Sequence, residues 1–213
     1  MMRRFATRLC CLLAPLALTG IAWAADTVPG AAPQDLIESA ATRMLQALDA
    51  DREAARKDPK RVQKMVDEIL LPNFDTDYSA RLVLGKHWRG ASPEQRKQFI
   101  DAFYQALLRN YGSALAEFTA DRMVMLPFRG DLASGQATVR TEVKRNDGTR
   151  VPVNYALRAT PAGWKAWDVT IEGISYVRNF RNDVGAEIDQ HGLASVIERL
   201  GAEARGETPK RPR

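Results

Sequence analysis

Cysteine and histidine are almost missing from this chain of 213 residues, with two of each. Both cysteines, Cys10 and Cys11, fall inside an N-terminal apolar run from Leu9 to Ala22. Arg3, Arg4 and Arg8 precede that run and Ala22-Trp23-Ala24 follows it, the pattern of a secretory leader with small residues at its cleavage site. We expect cleavage after Ala24 and export to the periplasm. The run is too short to span a bilayer, and no later stretch approaches the 18 or more apolar residues that a membrane helix needs. Thr7-Arg8-Leu9 before the cysteines is not a lipid-attachment box. The expected mature chain, 213 − 24 = 189 residues, then holds no cysteine. It has neither disulfide, thiol chemistry nor a cysteine metal site, and is long enough for one domain with a sizeable core.

His87 and His191 have no partner ligand at a metal-binding interval, so no metal centre is expected. Phosphate-binding motifs are missing too: there is no GxGxxG, and Gly85-Lys86 lacks the upstream glycine and following Ser or Thr of a P-loop. Gly173-Ile174-Ser175-Tyr176-Val177 starts like a nucleophile elbow but ends in Val where Gly is required. No organic cofactor is implied. The basic balance of +5 resides at the ends. Three leader arginines account for +3 and the tail from Glu207 to Arg213 for +2, so the body from Ala25 to Gly206 is formally neutral. A nucleic-acid-binding domain would carry its basic stripe on that body. The tail, residues 206–213, reads as a disordered terminus, with electrostatic help at an anionic membrane or acidic partner as its alternative use.

What is present is apolar periodicity. After a Pro/Gly/Ala linker (25–32), Pro33 opens a helix with Leu36, Ile37, Ala40, Met44, Leu45 and Leu48 on one face. Asp58-Pro59 caps a second helix through Val62, Met65, Val66 and Ile69, ended by Pro72. A third runs from about Asp75 to Gly85. Ser92-Pro93-Glu94-Gln95 is a capping box launching the longest helix, with Phe99, Phe103, Leu107, Tyr111, Leu115 and Phe118 at intervals of four and three.

From Arg122 the period drops to two. Four strands follow: one near Met123 to Phe128; a second with Ala137, Val139, Thr141 and Val143 on one face; a third with Val151, Val153, Tyr155 and Leu157; a fourth with Trp167, Val169 and Ile171. One greasy face and one wet face make an antiparallel sheet covered on one side. Keeping Val143 level with Val151 requires the loop Asn146-Asp147-Gly148. Pairing Leu157 with Trp167 and Tyr155 with Val169 requires a three-residue loop, Pro161-Ala162-Gly163. After Gly173, helical spacing returns through Val177, Phe180, Val184 and Ile188, breaks near Gly192 and ends with Leu193, Val196, Ile197 and Leu200. The expectation is an α+β domain over residues 33–205, with N-terminal helices packed on one face of a four-stranded antiparallel sheet and a C-terminal helical segment.

Leu71-Pro72-Asn73-Phe74-Asp75, Leu84-Gly85-Lys86-His87-Trp88-Arg89 and Ser92-Pro93-Glu94-Gln95 with Phe99, Phe103 and Tyr111 form one block. Trp167-Asp168-Val169, Gly173-Ile174-Ser175 and Asn179-Phe180-Arg181 form another. Together they resemble the MlaC (toluene-tolerance, Ttg2-type) family of periplasmic phospholipid carriers, over about Ala32 to Leu200. The resemblance implies an apolar pocket between helices and sheet, in which both acyl chains of a phospholipid are enclosed. It also implies a part in maintaining outer-membrane lipid asymmetry. From the helices it implies Phe74, Trp88, Phe99, Phe103, Leu107 and Tyr111 as lipid-binding residues. From the sheet and the segment after it come Val139, Val143, Val153, Tyr155, Trp167, Val169, Ile171 and Ile174. Implied partners are an outer-membrane lipoprotein complex of the MlaA type and an inner-membrane ABC transporter with MCE-type lipid-binding domains of the MlaD type. Arg89, Arg96 and Lys97 beside Trp88 are a candidate docking contact. Where relatives show a run like NYRxQF, this chain has Asn179-Phe180-Arg181-Asn182-Asp183-Val184, which widens the pocket if Val184 faces it.

Two other readings compete. A cone of helices over a curved sheet also houses isomerases of the ketosteroid type, which need only a carboxylate base and an oxyanion donor; Asp101 or Asp168 with Tyr104 or Tyr155 supply those groups. A scaffold with a filled core is the third. Enclosure of both tails follows from magnitude. At about 0.8 kcal/mol per methylene, two chains of about 30 carbons represent roughly 25 kcal/mol, and a shallow groove covering half of that would lose its lipid to a bilayer.

Overall fold

Local caps set the helix starts. The computed structural model describes residues 32–50, 52–116, 123–145 and 147–207, without the side chains of 56, 59 and 110–116. The expected leader, linker and most of the tail lie outside that set, as do Asn146, Phe118 and the side chains of Tyr111 and Leu115. Helix α1 spans Pro33–Ala50, a short α2 Arg52–Lys57, and α3 Pro59–Met65. Asp58 caps α3 by accepting from the Lys60 amide. A π turn (Val66–Leu70) and a 3₁₀ turn (Leu71–Asn73) carry the chain to Asp75, whose side chain accepts from the Tyr78 amide and starts α4, Thr76–Leu84. Gly85, at φ 52°, ends α4 and opens a 3₁₀ turn to Trp88. The capping box forms in full, Gln95 N to Ser92 Oγ at 3.1 Å and Ser92 N to Gln95 Oε1 at 3.0 Å, at the head of α5, Pro93–Ala116. Helix α6, Tyr176–Arg205, is longer than α5 but kinks at Gly192 (φ 80°, ψ 159°), a backbone region open to glycine alone. Arg199 fastens the kink, binding Glu187 before it and Glu203 after it, each at 2.7 Å.

The antiparallel sheet runs in the order β1 (Met123–Met125), β2 (Gln136–Lys144), β3 (Arg150–Thr160), β4 (Gly163–Ile171), β5 (Ile174–Ser175). Five strands stand where four were expected; β5 has two residues, too few to show a period. Val143 pairs with Val151 and Tyr155 with Val169, as the face assignment requires. The Leu157–Trp167 pair does not form. Leu157 faces Ala166, and a bulge between Ala156 and Leu157 accommodates Trp167. Thr160 pairs with Gly163, so the turn is Pro161-Ala162 rather than three residues. The residue expected in the loop is instead inserted in the strand. Either solution brings Val169 opposite Tyr155 and keeps Asp168 off the apolar face. Only the observed one turns Trp164 and Ala166, both buried, toward Leu157.

Buried side chains gather into three clusters among the described residues. Helices α4, α5 and α6 make a bundle around Phe99, Phe103, Val184 and Leu200. Ile37 of α1 joins Val139, Leu157, Trp164 and Ala166 on the sheet. Met44 and Leu48, farther along α1, join Val62 and Val66. The helices therefore do not all lie on the sheet's apolar face. Helix α1 covers one end of it, while the bundle meets the sheet at its β4 edge, where the Asp75 amide donates to Ala166 O at 2.7 Å.

Candidate functional site

Alternation along β2, β3 and β4 builds one largely apolar surface, interrupted by buried Thr141, whose two ends differ. At the α1 end Ala137, Val139, Leu157 and Ala166 are sealed. At the other end Met123, Val143, Val169 and Ile171 are only half-buried and join none of the three clusters. Buried Val151 and Val153 stand between them on β3. Apolar surface left half-buried in this way forgoes part of the roughly 25 cal/mol per Å² that full burial contributes.

Tyr155 marks the depth of this region. Burial pushes its hydroxyl pKa up, opposed by a hydrogen bond with Thr141. The residue is half-buried and packs on the sheet cluster beside Val139, its partner on β2. Tyr104 of α5 shows the same combination: burial is the main cause of a pKa raised to about 12, against the lowering effect of a hydrogen bond with Ser79. Ser79 Oγ in turn lies 2.6 Å from Trp167 O, tying α4 to the bulge.

The helical residues expected at the site divide. Phe99 and Phe103, stacked at 5.5 Å, are fully inside the bundle, with Phe180 edge-on to Phe103 at 5.1 Å. Leu107 packs against the same bundle. Phe74 bridges to Ala166 and packs on the sheet cluster. Trp88 is at the outer surface with the Arg96 guanidinium over its ring at 4.8 Å. Of the sheet residues, Val143, Val153, Val169 and Ile171 share the partly roofed end, Val139 lies in the sealed end, and Tyr155, paired with Val139 on one side and Val169 on the other, stands at the boundary and packs on the sealed cluster. Trp167 leaves the apolar face at the bulge and meets Tyr78 edge-on at 5.7 Å. Ile174 is 61% exposed on β5. Val184 is buried in the bundle, so its exchange for an aromatic repacks helices and does not widen a pocket on the sheet. Met123 and Trp164 were missed in the sequence. The period-two pattern of Met123-Val124-Met125 signals the first, and no local signal places the bulge that brings in the second.

The groups weighed for an isomerase serve other ends. Asp101 is exposed and pairs with Lys97 at 3.2 Å. Asp168 accepts from Ser175 Oγ at 2.5 Å and from the Val177 amide at 3.0 Å, which anchors the start of α6. Ser175 itself caps α6 by accepting from the Arg178 amide. His87 Nε2 is 3.4 Å from Asp189, and His191 is exposed.

Comparison with known proteins places these features in a context. The sequence pattern of the MlaC protein family matches residues 38–202. The chain is 29% identical over 167 residues to toluene tolerance protein ttg2D of Pseudomonas putida, covering 78% of this chain and 77% of that one. It is 22% identical over 173 residues to the intermembrane phospholipid transport system binding protein MlaC of Haemophilus influenzae, covering 79% and 80% respectively. Its structure resembles that of the phospholipid-binding protein from Ralstonia solanacearum, solved in complex with a phospholipid. The TM-score is 0.77 at 26% identity, with 83% of this chain and 98% of that one covered.

Proposed function

This chain belongs to the MlaC family, and from that premise we propose that it is a periplasmic phospholipid carrier whose acyl-chain site is the partly roofed end of the sheet. The observation that carries the reading is the half-buried apolar group Val143, Val169 and Ile171, which joins none of the three clusters and has Tyr155 opposite Val169. A phospholipid-bound relative of the same fold supports the ligand class. On this reading Val143, Val153, Tyr155, Val169 and Ile171 line the hollow, and Ile174 stands at its rim. Phe99 and Phe103 hold the frame.

Mechanism follows from few polar contacts. Methylenes moved from water into the hollow contribute about 0.8 kcal/mol each, nearly what a bilayer gives them. Tails are therefore held firmly against water, yet are exchangeable with a membrane-like acceptor. No nucleophile, base or metal takes part, and the chain acts without catalysis. It receives and hands over lipid between an outer-membrane lipoprotein complex and an inner-membrane ABC-type transporter with lipid-binding domains. The secretory leader ending at Ala24 delivers it to the space between them.

The test is native mass spectrometry, with lipid extraction, on protein purified without detergent. A mass shift of one diacyl phospholipid is expected. An apo mass alone, with no co-purifying phospholipid, would defeat the proposal.

A further inference from the structure

Trp88 stands between two surface clefts of opposite character. On one side, Asp77 and Asp101 offset Arg96 and Lys97. On the other, a cleft of about 430 Å³ is lined by Arg81, Lys86, Arg89 and Arg181 with Leu82, Gly85 and Trp88, and no acid. Four cations converge there on a body whose formal charge is zero.

Sequence-distant elements make the convergence. Arg81 comes from the last turn of α4, Lys86 and Arg89 from the 3₁₀ turn and the residue after it, and Arg181 from the second turn of α6. Gly85 lets them close up. A Cβ there would come within 3.1 Å of Arg181 Nε, so the guanidinium lies over bare backbone. Lys86 is neutralised by Asp189 at 2.7 Å. Among the described residues, Arg81, Arg89 and Arg181 have no ion-pair partner, whereas the neighbouring cations are engaged: Arg96 stacks on Trp88 and donates to its carbonyl, and Lys97 holds Asp101. Of the docking contact expected from the sequence, Arg89 alone lines this cleft. Three guanidinium groups gathered without counter-charge repel one another, and forked donors of this kind suit carboxylates.

We propose that this cleft is a docking site for an acidic segment of a partner polypeptide, distinct from the acyl-chain hollow. Shape separates this from membrane attachment. The charges point into a recess walled by Trp88 and Leu82, which the side chains of an extended peptide can enter and a flat layer of headgroups cannot. Carboxylates of the segment pair with Arg81, Arg89 and Arg181, while its apolar side chains meet the Trp88 ring. Such a contact forms fast and weakens with salt, which suits a carrier that visits its partners briefly.

The experiment measures fluorescence anisotropy of a labelled hexa-aspartate peptide against the full chain at low salt. Hexa-serine serves as the uncharged probe, and the variants are R81Q/R89Q/R181Q and, with equal charge loss elsewhere, K57Q/K60Q/K64Q. Binding of hexa-aspartate but not hexa-serine is expected, weakened roughly tenfold by the first triple and less than about twofold by the second. R81K/R89K/R181K, which keeps the charge but loses the fork, binds more tightly than the neutral triple and covers the case in which that triple folds poorly. Equal weakening by both neutral triples, absence of hexa-aspartate binding, or binding of phosphatidylglycerol vesicles in preference to the peptide would overturn the proposal. Co-purifying phospholipid is measured in parallel and stays at the wild-type level in every variant. Its absence throughout would count against the carrier reading and leave this one standing.

Discussion

Filling the hollow from within separates a carrier from a scaffold. Val169 faces Tyr155 across the β3–β4 pair, is half-buried and joins none of the three clusters. Val169→Phe adds four carbons on the apolar face. If space lies above it, the ring takes the place of about four lipid methylenes. At about 0.8 kcal/mol each, lipid retention falls by roughly 3 kcal/mol, about a hundredfold in the partition toward vesicles. Folding stability of the lipid-free protein then changes by less than about 1 kcal/mol. If the region were packed by the protein itself, the same ring would be forced into occupied volume at a cost of about 1–3 kcal/mol, and lipid content would not change. Val139→Phe is the internal control, because Val139 is fully buried at the sealed end and must show the packed-core response. The assays are phospholipid per protein after detergent-free purification, transfer to vesicles, and urea unfolding of delipidated protein. A Val169→Phe protein destabilised like Val139→Phe, with wild-type lipid content, would refute the assignment of the hollow.

Phe103→Ala removes a buried ring from the bundle and should cost about 3–5 kcal/mol, lowering Tm by roughly 6–20 °C in a scanning calorimeter, with lipid per folded molecule unchanged. Alkali should weaken the fold in a defined window: the Tyr104 phenol titrates near 10 when unfolded and at about 12 when folded, so stability is complete below pH 10 and falls by about 2–3 kcal/mol as pH rises to 12. Burial shifts Tyr155 in the same direction, and Tyr104→Phe should reduce the loss seen in urea melts across that range. Asp168→Ala strips Ser175 and the Val177 amide of their acceptor and should cost about 2–4 kcal/mol, whereas exposed Asp101→Asn should stay within about 0.5 kcal/mol; chemical denaturation distinguishes them.

Helix starts were legible in the sequence because their chemistry is local. Asp58, Asp75 and the Ser92–Gln95 pair each satisfy amides within three residues, and each does so in the structure. The apolar parity of the strands was legible for a similar reason, since any register that exposed it would lose the core. Parity fixes which residues share a face but not where an extra residue is absorbed. The Tyr155–Val169 pair was readable on these grounds, while the choice between a longer loop and a bulge at Trp167 was not. That choice rests on the remote contacts of Ser79 with the Trp167 carbonyl and of Tyr78 with the indole. Elements as short as α2 and β5 carry no period at all.

Core and cavity are indistinguishable along a sequence, because Phe103 and Val169 are both apolar residues at the spacing of their element. They differ only in what lies opposite, and that is a property of the whole fold. Leaving an apolar surface without its own filling forgoes burial that other proteins use for stability. The frame must then be held elsewhere, and the three clusters do this: the α4–α6 bundle, the α1–α3 packing and the sealed end of the sheet each close without help from the partly roofed region. A fold with one merged core could not give up part of it to a ligand that leaves. On the proposed reading, a core distributed in this way lets the same chain persist both before and after a ligand leaves the partly roofed region.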